Sequence, residues 1–266
     1  MDYLVSVIVL VYNSMDSVIE TLESIRMQTY KNIELVIADD CSKDKSLDII
    51  EKWLTSSEHT FTSVKRAYGK NNVGLTGNMN RGLKAAAGMY IKFLAADDIL
   101  YETAIERYLE VALSGGKVLP ISKVKLLIDG DRDVEAVKKY CEKCYEVSEM
   151  SPDEQYRRLL TANWVVSPAA DFFCRQTLVD AGGYDERFRM IEDYPMNMKL
   201  LRKGYHFKLI DEELVGYRVS VKSITGAREK ELKKMRKAIF FKRTMWYMIS
   251  NHMTLEAIKQ LKYWIK

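Results

Sequence analysis

The sequence has no apolar stretch near the ~20 residues that crossing a bilayer requires, so no membrane-spanning helix is expected in its 266 residues. Its amino terminus has neither a basic segment nor a small-residue cleavage site. It opens on a strand-like run, YLVSVIVLVYN, and no secretory leader is expected. Cysteine is scarce, with four in the whole chain. That excludes a disulfide-stapled scaffold and implies reduced thiols in a cytosolic compartment. Cys141 and Cys144 form a single C-x-x-C inside the helical pattern VEAVKKYCEKCYEV. With no second C-x-x-C and no histidine pair, packed or solvated thiols are expected there, not zinc. Neither G-x-x-x-x-G-K-[ST] nor a G-x-G-x-x-G after a strand is present, which argues against a P-loop and a dinucleotide fold. Repeats and low-complexity tracts are also missing.

What is present is ordinary for a globular protein: 47% hydrophobic and 29% charged residues. The net charge of +4 is unevenly spread. Residues 228–266 hold 11 Lys and Arg against 3 Asp and Glu, so a basic tail follows a body carrying about −4.

Residues 5–12 are continuously apolar and rich in β-branched side chains, as suits a strand buried on both faces. Apolar residues at helical spacing over 14–28 follow (Val18, Leu22, Ile25), with Asp16 or Ser17 as N-cap. A second buried strand is read at 33–38, a polar turn DDCSKDKS, a helix at 47–54 and a short strand at 64–67. NNVGLTGNMNRG reads as a loop whose Gly74 and Gly77 permit positive φ or close backbone approach. A helix at 79–87 and a strand at 90–94 complete this half. Strands and helices alternating through short turns predict an α/β class with a mainly parallel sheet. Further on, helices are expected at 102–113, 134–146, 153–163, 176–181 and 194–203, the last stopped by Gly204. Strand character is expected at 117–128 and in NWVVSPAADFFCR.

KFLAADDILY places two adjacent carboxylates, Asp97 and Asp98, just past the carboxyl end of a buried strand. Asp39 and Asp40 end another strand, and Tyr12 and Asn13 end the first. Any one of these could simply cap the helix after it. Three polar strand ends on one rim favour a ligand site, since open α/β sheets bind ligands beyond the carboxyl ends of their strands. Paired carboxylates become favourable when a hard cation such as Mg²⁺ joins them to a diphosphate. Asp39 and Asp40 could instead accept hydrogen bonds from a base or ribose.

VSVIVLVYNSMDSVIETLESIRMQTYKNIELVIADDCSKDKS, followed by NNVGLTGNMNRGLKAAAGMYIKFLAADD, AGGYDERF and EDYPMNMKLLRKGY, resembles the family 2 inverting glycosyltransferases of the GT-A fold. The match runs over about residues 4–220, with four motifs in order. It implies a GT-A domain at 1–226, with a nucleotide-binding half at 1–100 and an acceptor-binding half at 101–226. It also implies a nucleotide-sugar donor, usually uridine-linked, a saccharide or lipid-linked acceptor, Mg²⁺ or Mn²⁺, and a single displacement at the anomeric carbon. By this resemblance Val11, Tyr12, Asn13, Asn72 and Gly74 line the donor pocket, with Tyr12 along the uracil. Asp40 bonds the base, Asp97 faces the ribose and Asp98 takes the metal. Asp193 is the general base, while Glu192 and Trp164 face the acceptor. Read alone, Asp193 at a helix start could equally complement the helix dipole, and Trp164 could be core. No nucleic-acid partner is implied.

Some positions depart from the family pattern. Ala95 stands where the family often has a further Asp, Met79 where it often has Arg, and Ser220, in YRVSVKSIT, where it commonly has His. Arg218 and Lys222 could compensate by holding the diphosphate. Two rivals remain: a nucleotidyltransferase, whose Gly-rich, Lys-bearing first loop is absent, and a non-catalytic partner subunit. For the basic tail at 227–266, one reading packs amphipathic helices on the body or on a second copy. The other attaches the tail to an anionic membrane at its cytoplasmic face.

Overall fold

The computed structural model describes residues 2–129, 134–161 and 170–220, together with residues 234, 237, 245, 248, 258 and 261. Chain order is β1 (Val5–Val11), α1 (Val18–Arg26), β2 (Ile33–Asp39), α2 (Ser46–Ser57), β3 (Ser63–Tyr68), α3 (Leu75–Ala85), β4 (Tyr90–Ala95) and β5 (Ile99–Leu100). After these come α4 (Ala104–Ala112), β6 (Val118–Asp129), α5 (Val134–Ser148), α6 (Pro152–Thr161), β7 (Phe173–Cys174), α7 (Arg175–Asp180), α8 (Asp193–Arg202) and β8 (His206–Ser220).

One sheet runs β3-β2-β1-β4-β7, parallel except for β7, and a second runs β5-β8-β6. Every residue of β1 and β2 is buried. Their unbroken apolar runs follow from helices covering both faces of a parallel sheet. Because β1, β2 and β4 point the same way, Val11, Asp39 and Ala95 end on one rim.

Several boundaries differ from the sequence reading for physical reasons. Ser17 occupies the N-cap position of α1 without capping it, since its hydroxyl donates to Ala96 O at 2.8 Å. Much of the segment read as a glycine loop is the first half of α3. Gly74, at φ +88°, ends the loop, whereas Gly77 lies inside the helix. A Cβ on Gly77 would stand 2.6 Å from Val73 Cγ2, so close packing selects that glycine. Of NWVVSPAADFFCR, residues 162–169 lie outside the described residues. The rest contributes only β7 and an isolated bridge between Asp171 and Ile121.

Strand β8 has no counterpart in the sequence reading. Its alternation is interrupted by Asp211, Glu212 and Glu213, and the β6–β8 pairing absorbs them with register shifts around Lys123. Gly204, at φ +83°, stops α8 as expected.

Beyond Ser220, Lys234 and Lys237 are helical and exposed, and Met245 and Leu261 pack against the core. Met248 is completely buried in that core. Among the described residues no helix is long and apolar enough to cross a membrane.

Candidate functional site

The ends of β1 and β2 are laced together by side chains reaching backbone. Asn13, in the left-handed region at φ 51°, accepts from Lys43 N at 2.7 Å through Oδ1, and its own N–H donates to Ser42 Oγ at 2.9 Å. Asparagine tolerates that conformation better than most residues. Tyr12 beside it is 50% exposed, a ring held at the rim by a fixed loop. Asp39 is buried and accepts from Ser42 N at 3.0 Å and from the Ser42 hydroxyl. Asp40 accepts from Val73 N at 2.9 Å and Gly74 N at 2.7 Å, while Asn72 Nδ2 donates to Asp40 O at 3.3 Å. Arg81 adds a guanidinium, 2.9 Å from Asp39 O and 3.5 Å from Asp40 Oδ1. The six residues expected on the donor's base side, Val11, Tyr12, Asn13, Asp40, Asn72 and Gly74, thus share one rim, with Asp40 as the tie between β2 and the loop before α3.

Asp97 and Asp98 follow β4 in a tight turn, with Asp98 N donating to Ala95 O at 3.1 Å. Asp98 is buried, and its Oδ1 accepts the Arg218 backbone N–H at 2.8 Å. Its Oδ2 accepts no hydrogen bond from the described residues. Arg218 Nε donates to Asp97 O at 2.8 Å and its Nη2 to Glu20 Oε2 at 2.5 Å. Burial pushes the Asp98 carboxyl well above the usual range; the Asp97 charge adds to that, and the Arg218 N–H and Lys92 oppose it. Asp97 is raised too, by burial, against the pull of Arg218.

Hard divalent cations take one or two carboxylates and complete their shell with substrate phosphate oxygens. Asp97 and Asp98 supply that kind of donor set. Among the described residues no three His, Cys, Asp or Glu side chains gather into a cage of their own. These residues fit a cation that arrives with a diphosphate.

Glu192 and Asp193 open α8. Asp193 Oδ1 accepts the Tyr194 N–H at 2.6 Å. Glu192 is buried, and burial first, then the Asp193 charge, lifts its carboxyl well above the ordinary value. Tyr217 lies on β8, paired with Leu126 of β6. Its phenol is raised by burial and then by the charges of Asp98, Asp97 and, more weakly, Glu192.

The sequence model described as Glycosyl transferase family 2 matches residues 6–181. This chain belongs to glycosyl transferase family 2. A relative in Escherichia coli, the UDP-Glc:alpha-D-GlcNAc-diphosphoundecaprenol beta-1,3-glucosyltransferase WfaP, is 29% identical over 235 residues, covering 86% of this chain and 82% of WfaP. Staphylococcus aureus TarS 1–349 in complex with UDP-GlcNAc superposes with a TM-score of 0.68 at 20% identity. That match covers 89% of this chain and 65% of the TarS fragment, less than two thirds of its length. The mannosyltransferase PcManGT of Pyrobaculum calidifontis, solved with GDP-Man and Mn²⁺, gives a TM-score of 0.66 at 17% identity, covering 99% of this chain and 75% of that one. At these identities the solved structures establish the GT-A fold.

In this family 2 chain, Met79, at the position where the family often has Arg, is buried in the core under α3. Trp164 and Lys222 lie outside the described residues. Ser220 ends β8. Sequence reasoning missed several residues that shape the site, among them Glu20, Thr21, Lys92, Asp171, Arg189 and Tyr217. Arg189 ties the segment leading into α8 to the loop before α3, donating from Nε to Val73 O at 3.0 Å and from Nη2 to Asn72 O at 3.1 Å. A charged residue inside an apolar strand, such as Lys92, was the one available signal. The others are polar residues on surfaces that periodicity alone leaves solvated.

Proposed function

We propose that this chain transfers a sugar from a uridine-diphosphate donor to a saccharide or lipid-linked acceptor, with inversion, in the assembly of a cell-surface polysaccharide or glycolipid. The observation that carries the reading is the pair Asp97–Asp98 just past the end of β4 together with the pair Glu192–Asp193 at the start of α8, of which Asp98 and Glu192 are buried. One pair suits the charge of a diphosphate through a cation, and the other suits a proton acceptor.

In this reading Val11, Tyr12, Asn13, Asp40, Asn72 and Gly74 hold the base and ribose side, and Asp97 reaches the ribose. Asp98 would hold Mg²⁺ or Mn²⁺, which when bound neutralises charge on the departing diphosphate. Asp193 takes the proton from the acceptor hydroxyl. That oxygen attacks the anomeric carbon from the face opposite the leaving group, and the bond to the diphosphate breaks in the same displacement. Glu192 and Trp164 lie on the acceptor side. Residues 1–226 form the transferase domain in this proposal, and 227–266 an appended basic segment. The burial of Met248 supports packing of that segment on the body.

Transfer and donor hydrolysis measured with Mn²⁺ and a panel of UDP-, GDP- and CDP-sugars test the reading. Asp193→Asn should keep UDP affinity and lower turnover by ~10²–10⁴-fold. Loss of donor binding with turnover per bound donor preserved would make Asp193 structural. A parent inert toward every donor would make the chain a non-catalytic partner.

A further inference from the structure

Helix α1 faces the acidic turn with a polar stripe. Ser17 Oγ donates to Ala96 O at 2.8 Å, Thr21 Oγ1 to Asp98 O at 2.7 Å, and Gln28 Nε2 to Tyr101 O at 2.9 Å. Ser24 Oγ accepts from Leu100 N at 3.0 Å. Thr21 and Ser24 lie within α1 and Ser17 and Gln28 just beyond its two ends, and spacings of four, three and four residues align the four side chains along one side. They meet the main chain of residues 96–101 nearly in step. Val18, Leu22 and Ile25 bury the adjoining apolar face, so one helix both seals the core and fixes the turn that carries Asp97 and Asp98.

Asp98 is gripped from two directions. Thr21 holds its carbonyl oxygen, and the Arg218 N–H holds Oδ1, leaving Oδ2 unengaged by the described residues. The Arg218 side chain then locks the strand that supplies that N–H. Its Nε is 2.8 Å from Asp97 O, and its Nη2 meets Glu20, one residue before Thr21 on α1. Backbone N–H, guanidinium and Glu20 carboxylate thus join β8, the acidic turn and α1. Two of the guanidinium's nitrogens are already committed to these partners.

We propose that Arg218, braced by Glu20, is a positioning residue that sets the Asp98 carboxylate for a divalent cation shared with a diphosphate, and that it acts through Asp98 without touching the diphosphate. This rests on the donor reading above. The physical reason is preorganisation. Small hard cations demand near-ideal ligand geometry, and a carboxylate already held in one rotamer loses less freedom on binding. Any residue at 218 keeps the backbone N–H, so a substitution there tests the bracing by the side chain.

The experiment is calorimetric titration of Mn²⁺ into the UDP-saturated full chain, with UDP titrated separately in chelator. Arg218→Met should weaken Mn²⁺ binding by about 10–100-fold, as loss of partners behind a metal ligand typically does, and leave metal-free UDP binding within about twofold of the parent. Arg218→Lys should rescue only part of the loss, because an ammonium cannot span both oxygens as the fork does. Glu20→Gln should cost roughly twofold to fivefold, the scale of an exposed ion pair. In turnover assays Arg218→Met should raise the Mn²⁺ requirement while kcat at saturating Mn²⁺ stays near the parent's. Equal loss of Mn²⁺ and metal-free UDP binding would make Arg218 a direct diphosphate contact and overturn the inference. Unchanged Mn²⁺ affinity with a lowered Tm would overturn it as well. Should Arg218→Met fail to fold, parental Mn²⁺ affinity in both Arg218→Lys and Glu20→Gln refutes the proposal. A parent that binds neither UDP nor Mn²⁺ overturns the donor reading and this inference together, whereas a parent that binds both isolates the inference.

Discussion

Lys92 stands in the middle of a parallel strand with 0% of its surface exposed. Its ammonium donates to Asp171 O at 2.8 Å, lies 3.5 Å from the Tyr108 hydroxyl and sits 4.5 Å from the centre of that ring. Burial pulls its pKa down from 10.5 to about 7, while Asp171 and Asp98 pull the other way. With the native value below the unfolded one, the unfolded chain binds more protons between about pH 7 and 10.5, so stability from this group rises with pH across that window. Below it both states hold the proton, and the folded chain carries the full cost of an enclosed ammonium. Lys92→Met should flatten this rise in thermal melts from pH 6 to 9. It should also leave the buried Asp171 O without the ammonium that donates to it, a loss of ~1–3 kcal/mol. An unchanged pH slope would show that Lys92 does not titrate there. Lys92 was visible in the sequence as a charge inside an apolar run, but its partner was not. Asp171 is 79 residues away, and only the pairing of β7 with β4 brings that stretch alongside.

At the scale of an element, α3 shows how backbone clearance outweighs propensity. A Cβ on Gly82 would lie 2.4 Å from Ile8 Cγ2 and 3.3 Å from Ala38 Cβ. Alanine is ~1 kcal/mol better than glycine inside a helix, yet it would press α3 off β1 and β2. Overpacking of this kind costs ~1–3 kcal/mol, so Gly82→Ala should be destabilising in urea titration, and a gain in stability would mean the helix has slack. The displacement also bears on the site. Asn78 Nδ2 donates to Ala38 O at 2.6 Å, Thr76 Oγ1 to Phe188 O at 2.7 Å, and Asn80 exchanges bonds with the Tyr184 backbone at 2.8 and 2.9 Å. Through these contacts α3 connects the donor rim to the segment leading into α8. Gly82→Ala should therefore weaken UDP binding as well as the fold.

For the whole molecule, the open matter is what the basic tail covers. Met248 is fully enclosed, with Met245 three residues earlier packed on the same core, while Lys234 and Lys237 face outward. That arrangement is an apolar stripe turned to the body with lysines outside it. Met248→Ala should cost ~2–5 kcal/mol, as truncation of a buried side chain does. Deleting the chain after Ala227 should lower Tm by at least as much as that single change. A deleted protein with parental Tm that has lost only its flotation with anionic vesicles would restore the membrane reading.

The succession β1-α1-β2-α2-β3-α3-β4 was legible because each strand is apolar throughout and each helix repeats its apolar face, and those patterns are local. Polar strand ends on one rim followed from parallel strands pointing one way, so Asp40, Asp97 and Asp98 could be grouped before any coordinate was known. Sequence alone also marked where this chain departs from its family, at Met79, Ala95 and Ser220. Tertiary structure decided the rest: that the polar face of α1 clasps the acidic turn, that Arg218 from β8 supplies its brace, and that the Asp171 carbonyl accepts the Lys92 ammonium. These are contacts between elements 70 to 200 residues apart. A hydroxyl or guanidinium carries no local sign of its partner, and solvent or a distant carbonyl satisfies it equally well until the sheets close and choose between them.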